Sequence, residues 1–110
     1  MSADKKIQEL GIKLPPAPAP MGVYKPIVIS GNHAYLSGHG PVLMDGSLML
    51  GRIGDDLDLD AGYQSARQVG LTMLATIKEN LGSLDRVKRV IKLLGMVNCT
   101  SDFLDHPKVI

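Results

Sequence analysis

The chain has 110 residues, 45% of them apolar, and 12 basic against 11 acidic side chains leave a formal net charge of +1. That length makes one domain able to bury about two-thirds of its unfolded surface around a single core, and it excludes a second. The near-balance of charge leaves no electrostatic footprint for a nucleic acid or an anionic membrane. A lone cysteine, Cys99, cannot form an internal disulfide. No signal segment opens the sequence, and no apolar run approaches the ~20 residues that cross a bilayer. These features predict a soluble protein of the reducing cytoplasm. One Phe, three Tyr and no Trp provide little for stacking bases.

Asp4 to Leu10 places Ile7 and Leu10 three apart among charges, which predicts a short peripheral helix ended by Gly11. Leu14-Pro-Pro-Ala-Pro-Ala-Pro20 favours extended polyproline II and reads as a strap rather than a proline-motif ligand. Residues 1–20 are thus an N-terminal helix and strap, and 21–110 the folded domain. Val23 to Ser30 is β-branched and apolar, and Gly31-Asn32 supplies a two-residue turn before His33 to Ser37, which predicts a hairpin. Pro26 demotes the first part of its strand to an edge or bulge. Asp45-Gly46 separates Val42–Met44 from Leu48–Leu50 and suggests a second pair of short strands.

Asp60 to Leu81 is the clearest helix, with Asp60 as N-cap and Gly82 just past its end. Tyr63, Ala66, Gly70, Met73, Leu74, Ile77 and Leu81 form its expected core stripe, with Arg67, Gln68, Lys78 and Glu79 outside it. Gly70 within that stripe suggests close packing on a sheet. Val87 to Val97 fits a helix at positions 87, 90, 91 and 94 and a strand face at 87, 91, 93 and 97. Its β-branched content favours the strand. Lys88, Arg89 and Lys92 then fall on a solvated face rather than a nucleic-acid stripe, and Cys99 is expected as a small buried thiol.

The segment Ala34-Tyr-Leu-Ser-Gly-His-Gly-Pro41 carries the chemistry. An apolar strand runs directly into a turn where Gly38 and Gly40 lack the Cβ atoms that keep a ligand from the backbone. Ser37 and His39 add a hydroxyl and an imidazole, each able to donate or accept a hydrogen bond. Taken alone, such a run is also ordinary punctuation between strands. His39 is the candidate proton relay, although a histidine in a turn often serves only as a hydrogen-bonding group. Tyr24 reads equally as an amphipathic aromatic at a strand start.

Several segments in order carry a resemblance: Gly22-Val-Tyr24, Tyr35-Leu-Ser-Gly-His-Gly-Pro41, Ala66-Arg67, Leu81-Gly-Ser-Leu-Asp-Arg-Val-Lys-Arg-Val-Ile91 and Ser101-Asp-Phe-Leu-Asp-His-Pro107. From about Pro20 onward the chain resembles the RidA family, also called YjgF or the L-PSP endoribonuclease family. His39 stands where archetypal members have Gln, which marks a divergent subgroup. The resemblance implies an α+β, chorismate-mutase-like fold, a mixed sheet packed by a long helix, assembled as a homotrimer with intersubunit clefts. It implies hydrolysis of reactive enamines and 2-imino acids to 2-oxo acids and ammonia, on a small carboxylate substrate, with no cofactor and no metal. Carried over by position, Tyr24 becomes the cleft tyrosine, and Ser37 and Gly38 the strand-end position that lines the substrate.

The family's carboxylate-binding arginine, its acidic water-positioning residue and its cleft asparagine would fall past Ile110, together with a final helix and strands. The expectation is therefore a shortened family member. Arg52, Arg67, Arg86 and Arg89 lie outside the arginine motif, and a bidentate clamp is not readily replaced from another position. Two other readings stand beside the deaminase. One is a non-catalytic trimeric carboxylate binder or scaffold. The other is RNA cleavage, against which charge balance and scarce aromatics argue.

Overall fold

The computed structural model describes residues 2–110. A helix α1 (Ala3–Glu9) leads into the proline-rich strap, followed by a hairpin of β1 (Ile27–Ser30) and β2 (His33–Leu36). A long loop then reaches helix α2 (Leu59–Leu81), a 3₁₀ turn at Leu84–Arg86 and a terminal one-turn helix α3 (His106–Val109). The hairpin pairs antiparallel with Ile27 opposite Leu36 and Ser30 opposite His33. Gly31 takes φ 60° at the first turn position, where glycine avoids the Cβ penalty. The strand begins immediately after Pro26, as a residue lacking an N–H requires.

The N-cap of helix α2 falls two residues before the expected one. Asp58, not Asp60, accepts the Ala61 N–H at 2.8 Å, and Asp60 sits in the first turn, where its charge complements the helix dipole. Gly82 closes the helix at φ 83°, its N–H returning to the Lys78 carbonyl. The buried face comprises Gly62, Thr72, Ala75 and Thr76, whereas the predicted stripe is only half-buried and Tyr63 is exposed. Gly70 has open space where a Cβ would stand. The close approach is instead at Gly62, whose missing Cβ makes room for the Ile53 side chain.

The anticipated pairing of Val42–Met44 with Leu48–Leu50 reduces to a single bridge, Val42 to Leu48, around a turn with Gly46 at φ 86°. Ile53 makes parallel bridges to Leu57 and Cys99. The mixed sheet is therefore one antiparallel ladder supplemented by isolated bridges. Val87–Val97 does not join a ladder at all, and Val90, Ile91, Leu93, Leu94 and Met96 are exposed. A strand needs a partner for its N–H and C=O groups, and composition alone does not supply one.

Helix α1 is locked onto the 3₁₀ turn by reciprocal capping. Asp85 accepts from the Ser2 hydroxyl at 2.7 Å and the Asp4 N–H at 3.1 Å, while Asp4 accepts from the Ser83 hydroxyl at 2.5 Å and the Leu84 N–H at 3.1 Å. The whole remains open: the accessible surface is 8090 Å², about 2,000 Å² more than a compact monomer of 11.8 kDa exposes.

Two predictions follow from this packing. Gly62→Ala costs about 1–3 kcal/mol by pushing on Ile53, while Gly70→Ala is neutral or stabilises by up to about 1 kcal/mol; urea midpoints at constant m-value separate them. The hydrogen bond from Ser2, followed by that from the Asp4 N–H, holds the Asp85 carboxyl below its ordinary 3.8. Because the folded value is depressed, the clamp's contribution is complete above pH 3.8 and is lost as pH falls below it. Amide exchange at Asp4, whose N–H donates to Asp85, accelerates across that range in the native chain and not in Asp85→Asn, whose cap is already weakened.

Candidate functional site

Beyond β2 the backbone leaves the hairpin and runs along α2, held there by side chains. The Val42 N–H donates to the Thr72 hydroxyl at 3.1 Å, and that hydroxyl donates to the Gln68 carbonyl at 3.0 Å. Gln68 Nε2 donates to the Val42 carbonyl at 2.5 Å. The helix thus meets the Val42 carbonyl and shares its N–H with the Gly40 carbonyl, which accepts it at 3.1 Å, as burial demands. Thr72 and Thr76 are 0% and 1% exposed, and no buried side-chain polar atom among the described residues lacks a partner.

His39 completes the seam. Its Nδ1 lies 2.7 Å from the Ser37 carbonyl and its Nε2 2.9 Å from the Thr76 hydroxyl. A carbonyl can only accept, so Nδ1 donates to it, and Nε2 is paired with the Thr76 hydroxyl. Both ring nitrogens are engaged, and the imidazole ties the turn to the helix. Ser37 is fixed by its N–H to the Pro26 carbonyl at 3.0 Å. The N–H groups of Gly38, His39 and Gly40 have no acceptor among the described residues, and the missing Cβ of Gly38 faces open space. The turn is thus a fixed backbone surface with free donors.

The structure brings Ser37, Gly38 and His39 together but gives Tyr24 no hydrogen bond to them. The Tyr24 hydroxyl accepts the Met21 N–H at 3.0 Å, and the ring is 46% exposed. Gln68, Thr72 and Thr76 were not anticipated. Their signal was the spacing 68, 72, 76, which puts three polar side chains on one helix face. A separate open cleft of about 630 Å³ lies between Ile53–Leu59, Ala61 and Phe103, and none of the residues expected at the site lines it. Its Asp56 and Asp58 carboxylates are occupied by the Arg52 and Ala61 N–H groups. No group of acidic, His and Cys side chains suited to a metal ion occurs among the described residues.

Cys99 is part-exposed rather than buried, with its Sγ 3.3 Å from His106 Nε2. Arg52 Nε donates to the Cys99 carbonyl at 3.3 Å. A hydrogen bond from Thr100, then the residue's own N–H and finally the Arg52 charge hold the neighbouring Asp102 carboxyl below its ordinary value.

A long helix bound to a hairpin and a glycine-rich turn makes this an α+β protein. The family model described as "YjgF/chorismate mutase-like, putative endoribonuclease" matches residues 4–110, and the chain belongs to that family. It is 40% identical over 103 residues to Protein TCP17 of Trypanosoma cruzi, a match covering 94% of this chain and 64% of that protein. It is also similar to a Shewanella oneidensis MR-1 protein whose crystal structure is described as a "putative endoribonuclease". That match has a TM-score of 0.93 and 31% identity, covering 99% of this chain and 72% of the other. The protein Atu1372 of Agrobacterium tumefaciens, described as having unknown function, matches with a TM-score of 0.82 and 34% identity over 96% of this chain and 63% of its own. The chain spans less than two-thirds of TCP17, and its fold is the chorismate-mutase-like one.

Replacing Thr72 by Val leaves the Val42 N–H with only its Gly40 acceptor and costs about 0.5–1.5 kcal/mol. Urea unfolding checks this; a loss below about 0.5 kcal/mol, the scatter of surface substitutions, would show that the seam does not hold the turn.

Proposed function

We propose that the protein contributes to hydrolysis of reactive 2-imino and enamine acids to 2-oxo acids and ammonia, with Ser37, Gly38 and Tyr24 on the substrate side. The observation that supports this is the fixed turn with three unpaired backbone N–H groups. An imine carbon is already electrophilic, so a site needs to hold the substrate, polarise it and place one water rather than supply a strong base. Fixed N–H donors suit the polarising role because they need no reorganisation as charge develops. His39 acts in this reading as a positioning residue, since both of its nitrogens are spent on holding the turn.

The carboxylate anchor is the part these residues do not offer. Arg52 and Arg86 are engaged with backbone carbonyls, and no arginine is hydrogen-bonded to the Ser37–Pro41 turn among the described residues. The proposed assembly is a homotrimer with substrate in its intersubunit clefts, acting in the cytoplasm. No helix among the described residues is long and apolar enough to cross a membrane. RNA cleavage is the second reading, favoured by the endoribonuclease description of the family and of the Shewanella protein.

The test is ammonia release from freshly generated 2-iminobutanoate, by this chain and by a form extended to the length of its relatives. The extended form turns over and the 110 residues show only traces, and Gly38→Val in the extended form lowers the rate about tenfold or more by blocking approach to the backbone. An inactive extended form that instead cleaves RNA with steep salt dependence overturns the deaminase reading in favour of the second.

A further inference from the structure

The charge balance of the whole chain hides a local asymmetry. Arg86, Lys88, Arg89 and Lys92 belong to one short stretch, and no Asp or Glu occurs from Arg86 to Ser101. Lys88, Arg89 and Lys92 are exposed and make no ion pair among the described residues. Between and beside them stand Val90, Ile91, Leu93 and Leu94, each at least 60% exposed. The backbone from Lys88 to Val97 makes no hydrogen bond among the described residues. Free cations, bare aliphatic side chains and uncommitted backbone therefore share one segment.

We propose that residues 87–97 bind an anionic lipid surface, lying on it as a basic amphipathic helix. At about 3.6 residues per turn, Val87, Val90, Ile91, Leu93, Leu94 and Val97 fall within one apolar arc, and Lys88, Arg89 and Lys92 fall on the opposite side. A backbone moved from water into the lipid interface must close its own hydrogen bonds, and a helix closes those that the free segment leaves open. Its length of about 16 Å lets it lie in the headgroup region without crossing. The β-branched residues Val87, Val90, Ile91 and Val97 weaken such a helix in water. It forms on the lipid, where burial of the apolar arc drives it.

Charge and apolar content together select lipid over other occupants. A second copy pairing through this segment sets Lys88, Arg89 and Lys92 against the same three cations, which like-charge repulsion opposes. A nucleic acid matches the cations but not the aliphatic side chains, and the segment has no aromatic ring on which a base could stack. An anionic leaflet matches both. Each Lys or Arg near its surface strengthens binding about fivefold, and the aliphatic side chains enter the boundary between headgroups and acyl chains.

The experiment is flotation of the full chain with vesicles of phosphatidylcholine, alone or with about one-third phosphatidylserine. The chain partitions at least about tenfold more onto the anionic vesicles, and binding fades as salt rises from about 0.05 to 0.5 M. Far-ultraviolet circular dichroism gains helical signal on binding. Lys88→Gln, Arg89→Gln and Lys92→Gln together weaken partitioning about a hundredfold, and Ile91→Ser with Leu94→Ser weakens it at least about tenfold. All five side chains are exposed, so urea midpoints stay near the native one. Equal binding to both vesicles, binding unchanged by either set of substitutions, or binding without helical gain overturns the proposal. A chain that ignores vesicles but binds polyglutamate or polyuridylate overturns it in favour of an acidic protein or an RNA. Self-association that protects 87–97 from amide exchange overturns it in favour of a second copy. The comparison of vesicle compositions needs no variant, and no readout depends on imine hydrolysis.

Discussion

The rest of the fold depends on a hydrogen-bonded seam between one face of α2 and the chain leaving β2. A helix normally docks on a sheet through apolar side chains, with the sheet's polar backbone satisfied by neighbouring strands. Here the 37–42 segment has no strand beside it for most of its length. Thr72, Thr76 and Gln68 provide its hydrogen-bonding partners, directly at Val42 and through His39 at Ser37. Inside a low-dielectric contact such bonds are strong and their loss leaves buried groups unpaired, so the seam sets the position of the turn more sharply than aliphatic packing would. The same seam leaves the next three N–H groups uncommitted. Structural stability and the availability of donors thus come from one arrangement.

The seam also explains why the core is small. The buried apolar side chains are Val42, Ile53, Ala75, Leu84 and Val109, each contributed by a different part of the chain. Val42 rides on the seam, Leu84 on the capped 3₁₀ turn, and Ile53 and Val109 flank Gly62. The mutual caps of Ser2, Asp4, Ser83 and Asp85 do for α1 what the threonines do for the turn: polar pairs hold elements together where apolar area is limited. The cost is an accessible surface well above that of a compact domain, with a radius of gyration of 14.8 Å against about 13 Å for this length.

Legibility in the sequence tracked how local each interaction is. Helix α2 and its glycine C-cap were readable because helical hydrogen bonds close within four residues, and the hairpin was readable because Gly31 and Asn32 fix its register across two residues. The inward face of α2 departs from its apolar periodicity because the partner segment requires hydroxyls and an amide. Thr72 and Thr76 are invisible to a hydrophobicity pattern but conspicuous once a turn with unpaired backbone needs a neighbour. Gly62 and Gly70 show the same lesson. Both sit in a helix, and only the tertiary position of Ile53 tells which one is needed for close approach. At the turn, the sequence offered His39 as a candidate proton relay or a hydrogen-bonding group, and the fold engages both of its nitrogens.

The segment from Val87 to Val97 carries this logic to its limit. Its residues 87, 91, 93 and 97 fit one strand face, with Lys88, Arg89 and Lys92 on a solvated side. Among the described residues it has no ladder, and Leu94 and Met96 are 80% and 90% exposed. A helix with this much apolar surface would still close its own hydrogen bonds. A strand cannot, because every N–H and C=O it presents must be met by another segment. A TM-score of 0.93 to a longer protein accompanies a segment that makes no ladder. The path of the backbone is set by α2, its capped end and the Ile53 bridge to Cys99, and the ladder is a further step that requires a partner rather than a better local sequence.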